Sequence, residues 1–298
     1  MMAALEQTLR GTLKLNEPMA RHTSWRVGGP AERYYEPADV DDLAEFLAQQ
    51  PETESLMWLG LGSNLLVRDG GIRGTVIITS GLLGEIELLD EGLVRAEAGV
   101  ACAKVARFCA RQHLVGAEFL AGIPGTMGGA LAMNAGAFGG ETWQHVAAVE
   151  TIDRQGQRHL RRPQEFIVAY RRVTGVEGEW FVAAHLRLQG GNSEAATVRI
   201  KELLERRGAT QPIGQPSCGS VFRNPDGDHA ARLIEASGLK GACIGGACVS
   251  EKHANFIINT GSATAADIEA LIEKVAAEVE RQHGVQLIRE VHIVGEAA

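Results

Sequence analysis

The sequence predicts an α+β protein of more than one compact unit, and three observations carry that prediction. Short apolar strands alternate with glycine turns over residues 56–78, read as LMWL, GLGSN, LLVRD, GGIRG and TVIIT. Amphipathic helical spacing recurs at 101–115 and again from 264 to 284. The small polar stretch QGGNSEA at 189–195 separates a strand-rich region from a helical one. A chain of 298 residues is also about twice the length of a usual domain.

Taken in order, residues 39–50 follow Pro37 with Asp39 placed as an N-cap, and Val40, Leu43, Phe46 and Leu47 share one helical face. In 101–115, Val105, Phe108, Cys109 and Gln112 fall at three- and four-residue steps, so a helix leads to the glycine-rich stretch that follows. A further helix starts near Thr126, and strands dominate from about 145 to 188. A boundary near 190 precedes the helix ATVRIKELLERRG. The helix at 228–237 stops at Gly238. Thr264 and Asp267 form a capping box for the next, whose apolar stripe is Ile268, Leu271, Ile272, Val275 and Val279 and whose end is Gly284. The segment VQLIREVHIVG reads as a final strand, with Glu290 in a mostly apolar run.

Composition narrows the function classes. With 29 Lys and Arg against 37 Asp and Glu the net charge is −8, which argues against a protein that coats nucleic-acid phosphates. No apolar run is long enough to span a bilayer, and the lead-in MMAALEQTLRGTLKLNEP lacks the apolar stretch of a leader, so the cytoplasm is the expected location. The five cysteines include no CxxC and read as reduced thiols packed as small core residues. Cys243, Cys248 and His253 do not follow zinc-ligand spacing, and no metal is expected.

Thirty-six glycines are the compositional excess, and seven of them fall within AGIPGTMGGALAMNAGAFGG at 121–140. Glycine there loses much backbone entropy on folding, so a compensating task is expected. Bare backbone lets consecutive N–H groups approach a pyrophosphate, and a helix start beside them adds favourable charge, which is a design for holding a dinucleotide. GLGSN at 60–64 begins like a Rossmann fingerprint but runs into the strand LLV instead of a helix, so that fold is rejected. No glycine-rich stretch ends in Gly-Lys-Ser or Gly-Lys-Thr, so the P-loop is absent too.

Six segments, RVGGPA (26–31), GLGSNLLV (60–67), EFLAGIPGTMGGALAMNAGAFG (118–139), CGSVFRNP (218–225), VSEKHANFIIN (249–259) and REVHIVG (289–295), occur in one order. Together they resemble the UDP-N-acetylenolpyruvoylglucosamine reductase family over nearly the whole chain. The resemblance implies an FAD-binding unit of the vanillyl-alcohol-oxidase (PCMH) type at 20–190, with two subdomains split near 75–80, and an α+β substrate-binding domain at 191–298. It implies non-covalent FAD, NADPH as hydride donor, and reduction of UDP-N-acetylglucosamine enolpyruvate to UDP-N-acetylmuramate for peptidoglycan.

Carried over by position, Gly62, Ser63, Asn64, Leu65, Gly122, Ile123, Pro124, Gly125, Thr126, Gly128, Gly129, Asn134 and Gly136 line the flavin nucleotide. The implied reaction leaves charge on the carbon beside a carboxylate, so it needs an anion partner and a proton donor. By the same resemblance Ser220 is the donor and Arg171 grips the carboxylate, with Arg172 the alternative register because Arg172 and Val173 replace the family's Asp-Ser. Glu290 orients the intermediate or shares the proton, with His292 two residues on along the same strand face. Asn224, Lys252, His253 and Asn255 are the candidates for the nucleotide sugar, and Arg223 meets either phosphate or solvent. Phe138 stands where many members carry Tyr, and the short interval from Arg171 to Ser220 suits the members without an extra tyrosine-bearing loop.

Overall fold

The computed structural model describes residues 9–298. Residues 1–8, part of the lead-in inspected for a leader, lie outside them. The chain divides into two compact units that are not sequential halves. One runs up to Lys14 and includes Arg33–Gly60 and Gly74–Glu205; the other gathers Leu15–Glu32, Leu61–Arg73 and Arg206–Ala298. The sequence reading put the boundary near 190, whereas the units part between Glu205 and Arg206. That point lies inside a helix, Ser193–Thr210. Gln189–Gly190 of the expected linker pair with Leu114–Val115.

In the first unit, helix α1 (Val40–Ala48) starts where Asp39 accepts the Asp42 amide, and it buries Val40, Leu43, Phe46 and Leu47. Tyr35 stacks on Phe46 with ring centroids 3.7 Å apart. The Asp42 carboxylate accepts from the Tyr35 hydroxyl and from the amides of Arg10, Gly11 and Ala38, so a buried charge is fully bonded. Leu56–Leu59 lies parallel to the 75–78 stretch, with Leu56 opposite Thr75. An antiparallel sheet of five strands follows, in the order Arg158–Arg161, Val146–Asp153, Glu179–Arg187, Leu93–Glu97, Ile86–Leu88. Its apolar face, through Val94, Ala96, Val146, Val149, Ala184 and Leu186, packs on α2 (Cys102–Arg111) and α3 (Met127–Met133).

In the second unit, α5 (Ala230–Ala236) and α6 (Ala265–His283) bury Leu233, Ile234, Ile268, Leu271, Ile272, Val275 and Val279 against a three-stranded antiparallel sheet, Cys243–Ile244, Ala247–Val249 and Ile257–Asn259. The preceding helix, Ser193–Thr210, is α4. The capping box forms as read: Thr264 accepts the Asp267 amide and Asp267 accepts the Thr264 amide. Gly284 closes α6 in the left-handed region at φ 66°. Asp69 adds a second layer by accepting the amides of Ala265 and Ala266.

Two expectations are corrected. The final strand is short, because only His292–Val294 forms a ladder, running parallel to Leu65–Val67, and Arg289 contributes an isolated bridge to Phe222. The cysteines are not all reduced core thiols, since Cys243 and Cys248 form a disulfide, while Cys102, Cys109 and Cys218 are free and buried. The reason is local: Cys-Ile-Gly-Gly-Ala-Cys folds as a two-residue hairpin that sets the pair face to face.

Candidate active site

The glycine-rich stretch of the first unit is a turn, a strap and a helix. Glu118–Gly122 forms a 3₁₀ turn, Thr126 is the N-cap of α3, and Asn134 ends it at φ 44°. Residues 98–102 brace the strap: Met127 and Gly128 donate to the carbonyls of Val100 and Ala98, and Cys102 donates to Gly125. A Cβ at Gly122 would stand 2.4 Å from the Phe138 ring, and one at Gly128 2.9 Å from the Ala98 Cβ, so both glycines serve close packing. Gly129 differs, because a Cβ there would meet nothing nearer than the Thr126 hydroxyl at 3.9 Å. That hydroxyl is buried without a hydrogen-bond partner, with Gly60 packed against it. An unpaired buried donor beside an open glycine fits a ligand with acceptor oxygens, as a nucleotide diphosphate has.

Asn134 was expected to line the flavin nucleotide. Its amide is committed internally, donating to Glu141 and the Ala169 carbonyl and accepting from the Trp143 amide. The same stretch holds Arg171. The hairpin of Ile167–Ala169 and Arg172–Thr174 turns through Tyr170 and Arg171, and Arg171 takes φ 54°. Its guanidinium donates to the carbonyls of Gly136 at 2.8 Å and Asn134 at 3.3 Å and lies over the Tyr170 ring. Arg172 stands exposed in the adjoining strand. Arg171 is thus the arginine bound to the glycine-rich loop.

In the second unit, GSNL is a tightly packed corner. Gly62 takes φ 58°, and a Cβ there would fall 2.1 Å from the His22 carbonyl. Its own carbonyl accepts the Ser24 amide, and the Cys218 thiol points at the carbonyls of Gly62 and Leu65. Burial pushes that thiol up to about 12. The Asn64 side chain donates to the Glu290 carbonyl and its main chain accepts from His292, so the GSNL corner is joined to the REVHIVG segment.

Ser220 follows Gly219, which turns the chain at φ 70°. The Val221 carbonyl accepts the Glu290 amide, and Arg223 donates to the Ile288 carbonyl, so Ser220 and Glu290 flank one short antiparallel contact. Asn255 locks it: its main-chain carbonyl accepts the Val221 amide, while its side chain accepts the Phe222 amide and donates to the Phe222 carbonyl. The Ser220 hydroxyl is half-buried and bonds to no group among the described residues. The Arg223 Nε is buried without a partner.

The remaining nucleotide-sugar candidates separate. Asn255 is 3% exposed and fully spent on the backbone just described. The Asn224 carboxamide caps α5 through the Ala230 amide. The exposed Lys252 donates to the Gly208 carbonyl at 2.5 Å. His253 sits edge-on to Phe256 with a buried, unpartnered Nδ1, and burial, with the Lys240 charge behind it, favours the neutral ring. Burial and then the charge of Arg223 do the same to His292. Sequence reasoning did not find Ser250, whose hydroxyl accepts the amides of Lys252 and His253 and shapes their turn. The signal was present in Ser-x-Lys-His, a serine turn one residue past a strand.

A glycine-strapped α+β unit with a buried unpaired hydroxyl at Thr126 suits a flavin nucleotide, and the class it defines is a flavin-dependent oxidoreductase. Residues 31–160 match the FAD binding domain family, and residues 211–294 match the family described as UDP-N-acetylenolpyruvoylglucosamine reductase, C-terminal domain. The chain is 65% identical to the UDP-N-acetylenolpyruvoylglucosamine reductase of Alkalilimnicola ehrlichii over 100% of its length and 99% of that protein's. It is 61% identical to the reductase of Legionella pneumophila, covering 97% of this chain and 94% of that protein. The crystal structure of the Thermus caldophilus reductase superposes with a TM-score of 0.81 at 32% identity, covering 96% of this chain and 99% of that one. This chain belongs to the UDP-N-acetylenolpyruvoylglucosamine reductase family.

Proposed function

We propose that Arg171, Ser220 and Glu290 carry out the reduction of UDP-N-acetylglucosamine enolpyruvate to UDP-N-acetylmuramate, with NADPH as the hydride source. Family membership makes the chain an FAD-dependent oxidoreductase of peptidoglycan synthesis. FAD, held at the glycine-rich stretch by Thr126 and the open face at Gly129, would supply a two-electron carrier between the nicotinamide and the methylene carbon of the vinyl ether. The chain's residues manage the charge and the proton. The Arg171 guanidinium pairs with both oxygens of the substrate carboxylate and stabilises the anion that grows beside it. Ser220 donates its proton to the carbon beside the carboxylate, where the charge is left; a hydroxyl is a weak acid, but a carbanion next to a carboxylate is far more basic, so the transfer runs downhill. Glu290 orients the same centre.

The observation that supports this most is the short backbone contact of Val221 with Glu290, which Ser220 adjoins, the serine hydroxyl bonding to no group among the described residues. Lys252 and His253 hold the nucleotide sugar in this reading, while Asn224 and Asn255 act through the backbone they bind. The protein works in the cytoplasm, where nucleotide sugars and NADPH are available; among the described residues no helix is long and apolar enough to cross a membrane. The test is Ser220→Ala. NADPH should still bleach the flavin bands at the normal rate, while substrate-driven return of those bands slows at least about 100-fold. Unchanged return of colour would refute the role of Ser220.

A further inference from the structure

The disulfide lies at a place where a cross-link has a local use. Gly245 and Gly246 turn the hairpin of Cys243–Ile244 and Ala247–Val249, with Gly245 at φ 51°. Cys243 then stands directly opposite Cys248 with Cα atoms 4.2 Å apart. The next pair toward the hairpin's foot is hydrogen-bonded, Val249 donating to Ala242, so the cysteines occupy the non-hydrogen-bonded pair, where side chains lie closest. A loop this short removes little freedom from the unfolded chain, so the bond does little for global stability.

We propose that Cys243 and Cys248 are a reversible dithiol–disulfide modification site that responds to low-molecular-weight disulfides and sets the order of the adjoining turn at 251–253. Accessibility favours this pair alone. Cys243 is exposed and Cys248 half-buried, whereas Cys102, Cys109 and Cys218 are buried, with thiols pushed up to about 12. In a reducing cytoplasm a bond of this exposure cycles instead of persisting.

The hairpin and the turn are joined physically. Gly241, at φ 72°, donates to the Val249 carbonyl, and a Cβ on it would lie 2.2 Å from the Glu251 carboxylate, so the foot of the hairpin rests on Glu251. Ser250 follows at once and gathers the amides of Lys252 and His253. Locking Cys243 to Cys248 therefore fixes the strand from which that turn springs.

The chemistry balances as two exchanges. The Cys243 thiolate attacks a disulfide RS–SR, forming a mixed disulfide and expelling one RS⁻. The Cys248 thiolate then attacks the Cys243 sulfur, closing the intramolecular bond and expelling the second RS⁻. Two protons leave the cysteines, and the small disulfide takes up two electrons.

The test equilibrates the holoenzyme with glutathione buffers from reducing to oxidising, followed by differential alkylation and mass spectrometry. Cys243 and Cys248 should change together while the other three cysteines stay reduced. Hydrogen exchange at the Lys252 and His253 amides should be about threefold or more faster at the reducing end. The double variant Cys243→Ser, Cys248→Ser should show the fast rate in every buffer. A bond that stays closed at the reducing end, thiols that never pair, or exchange that does not change with redox state would each overturn the proposal. A substrate role for the turn rests on the function proposed above and is read separately. It predicts a several-fold higher KM in the reduced enzyme with kcat unchanged, and a constant KM alongside altered exchange would count against Lys252 and His253 as substrate ligands while leaving the redox site standing.

Discussion

At Arg171 the protein holds a side chain in a backbone region that favours glycine, at φ 54°. That conformation costs roughly 1–2 kcal/mol for an L residue, and the two carbonyls of the glycine-rich loop offset it by binding the guanidinium. Arg171→Gly should thus leave stability to urea within about 1 kcal/mol of the parent. On the role proposed for Arg171, turnover should fall at least about 100-fold. Gly129 gives a complementary test: the protein has room for a methyl group there, and Ala is the better helix former by up to about 1 kcal/mol. Gly129→Ala should raise the stability of flavin-free protein while weakening FAD binding in a fluorescence titration. Equal FAD affinity would remove Gly129 from the cradle.

Glu150 supplies a pH signature. Arg95 grips it with two bonds of 2.6 and 2.8 Å and His185 adds a third, and these hold its carboxyl down to about 2. A carboxyl depressed below its unfolded value of about 4.3 gives stability that is complete above that value and is lost as pH falls toward about 2. Glu150→Gln should cost about 2 kcal/mol near neutrality, between the usual exposed and buried cases. The difference from the parent should shrink across that acid window in denaturation curves taken at stepped pH.

Among the elements, α6 shows why some structure can be read from sequence and some cannot. Its start and stop depend on Thr264, Asp267 and Gly284, contacts three residues apart or at the helix end, and these were legible as a capping box and a glycine stop. Thr264→Ala should lower stability by about 1 kcal/mol in thermal melts. Asp69 was not legible, because it reaches the same helix end from 196 positions away. The partnership of Leu65–Val67 with His292–Val294 was hidden for the same reason, and the apolar run around Glu290 looked like a longer strand than the ladder allows. The hairpin disulfide was legible in principle, since Gly-Gly flanked by cysteines five positions apart specifies the facing pair, but the absence of CxxC and of zinc spacing led to the reading of reduced thiols. For the site, motif order nominated Arg171, Ser220 and Glu290 as candidates. Which side-chain amides are free for a ligand and which, like Asn134 and Asn255, are spent within the protein depends on contacts that no local pattern encodes.

For the whole molecule, FAD should act as a stabiliser by mass action, since only the folded chain offers the cradle. At free FAD about 100-fold above its Kd the gain is about 2.7 kcal/mol. The melting temperature should therefore climb with the logarithm of added FAD, and a flat response would contradict a folded-state binding site. The second unit is assembled from three stretches of chain, and the Asn64 side chain closes on the Glu290 carbonyl across 226 positions. During translation, then, the GSNL corner leaves the ribosome long before the strand that completes it has been synthesised. Until residues 292–294 have been synthesised, the Leu65–Val67 edge lacks the strand it pairs with, and an unpaired edge of that kind is prone to wrong pairing. A premature stop just before His292 would leave the Leu65–Val67 edge without the strand it pairs with.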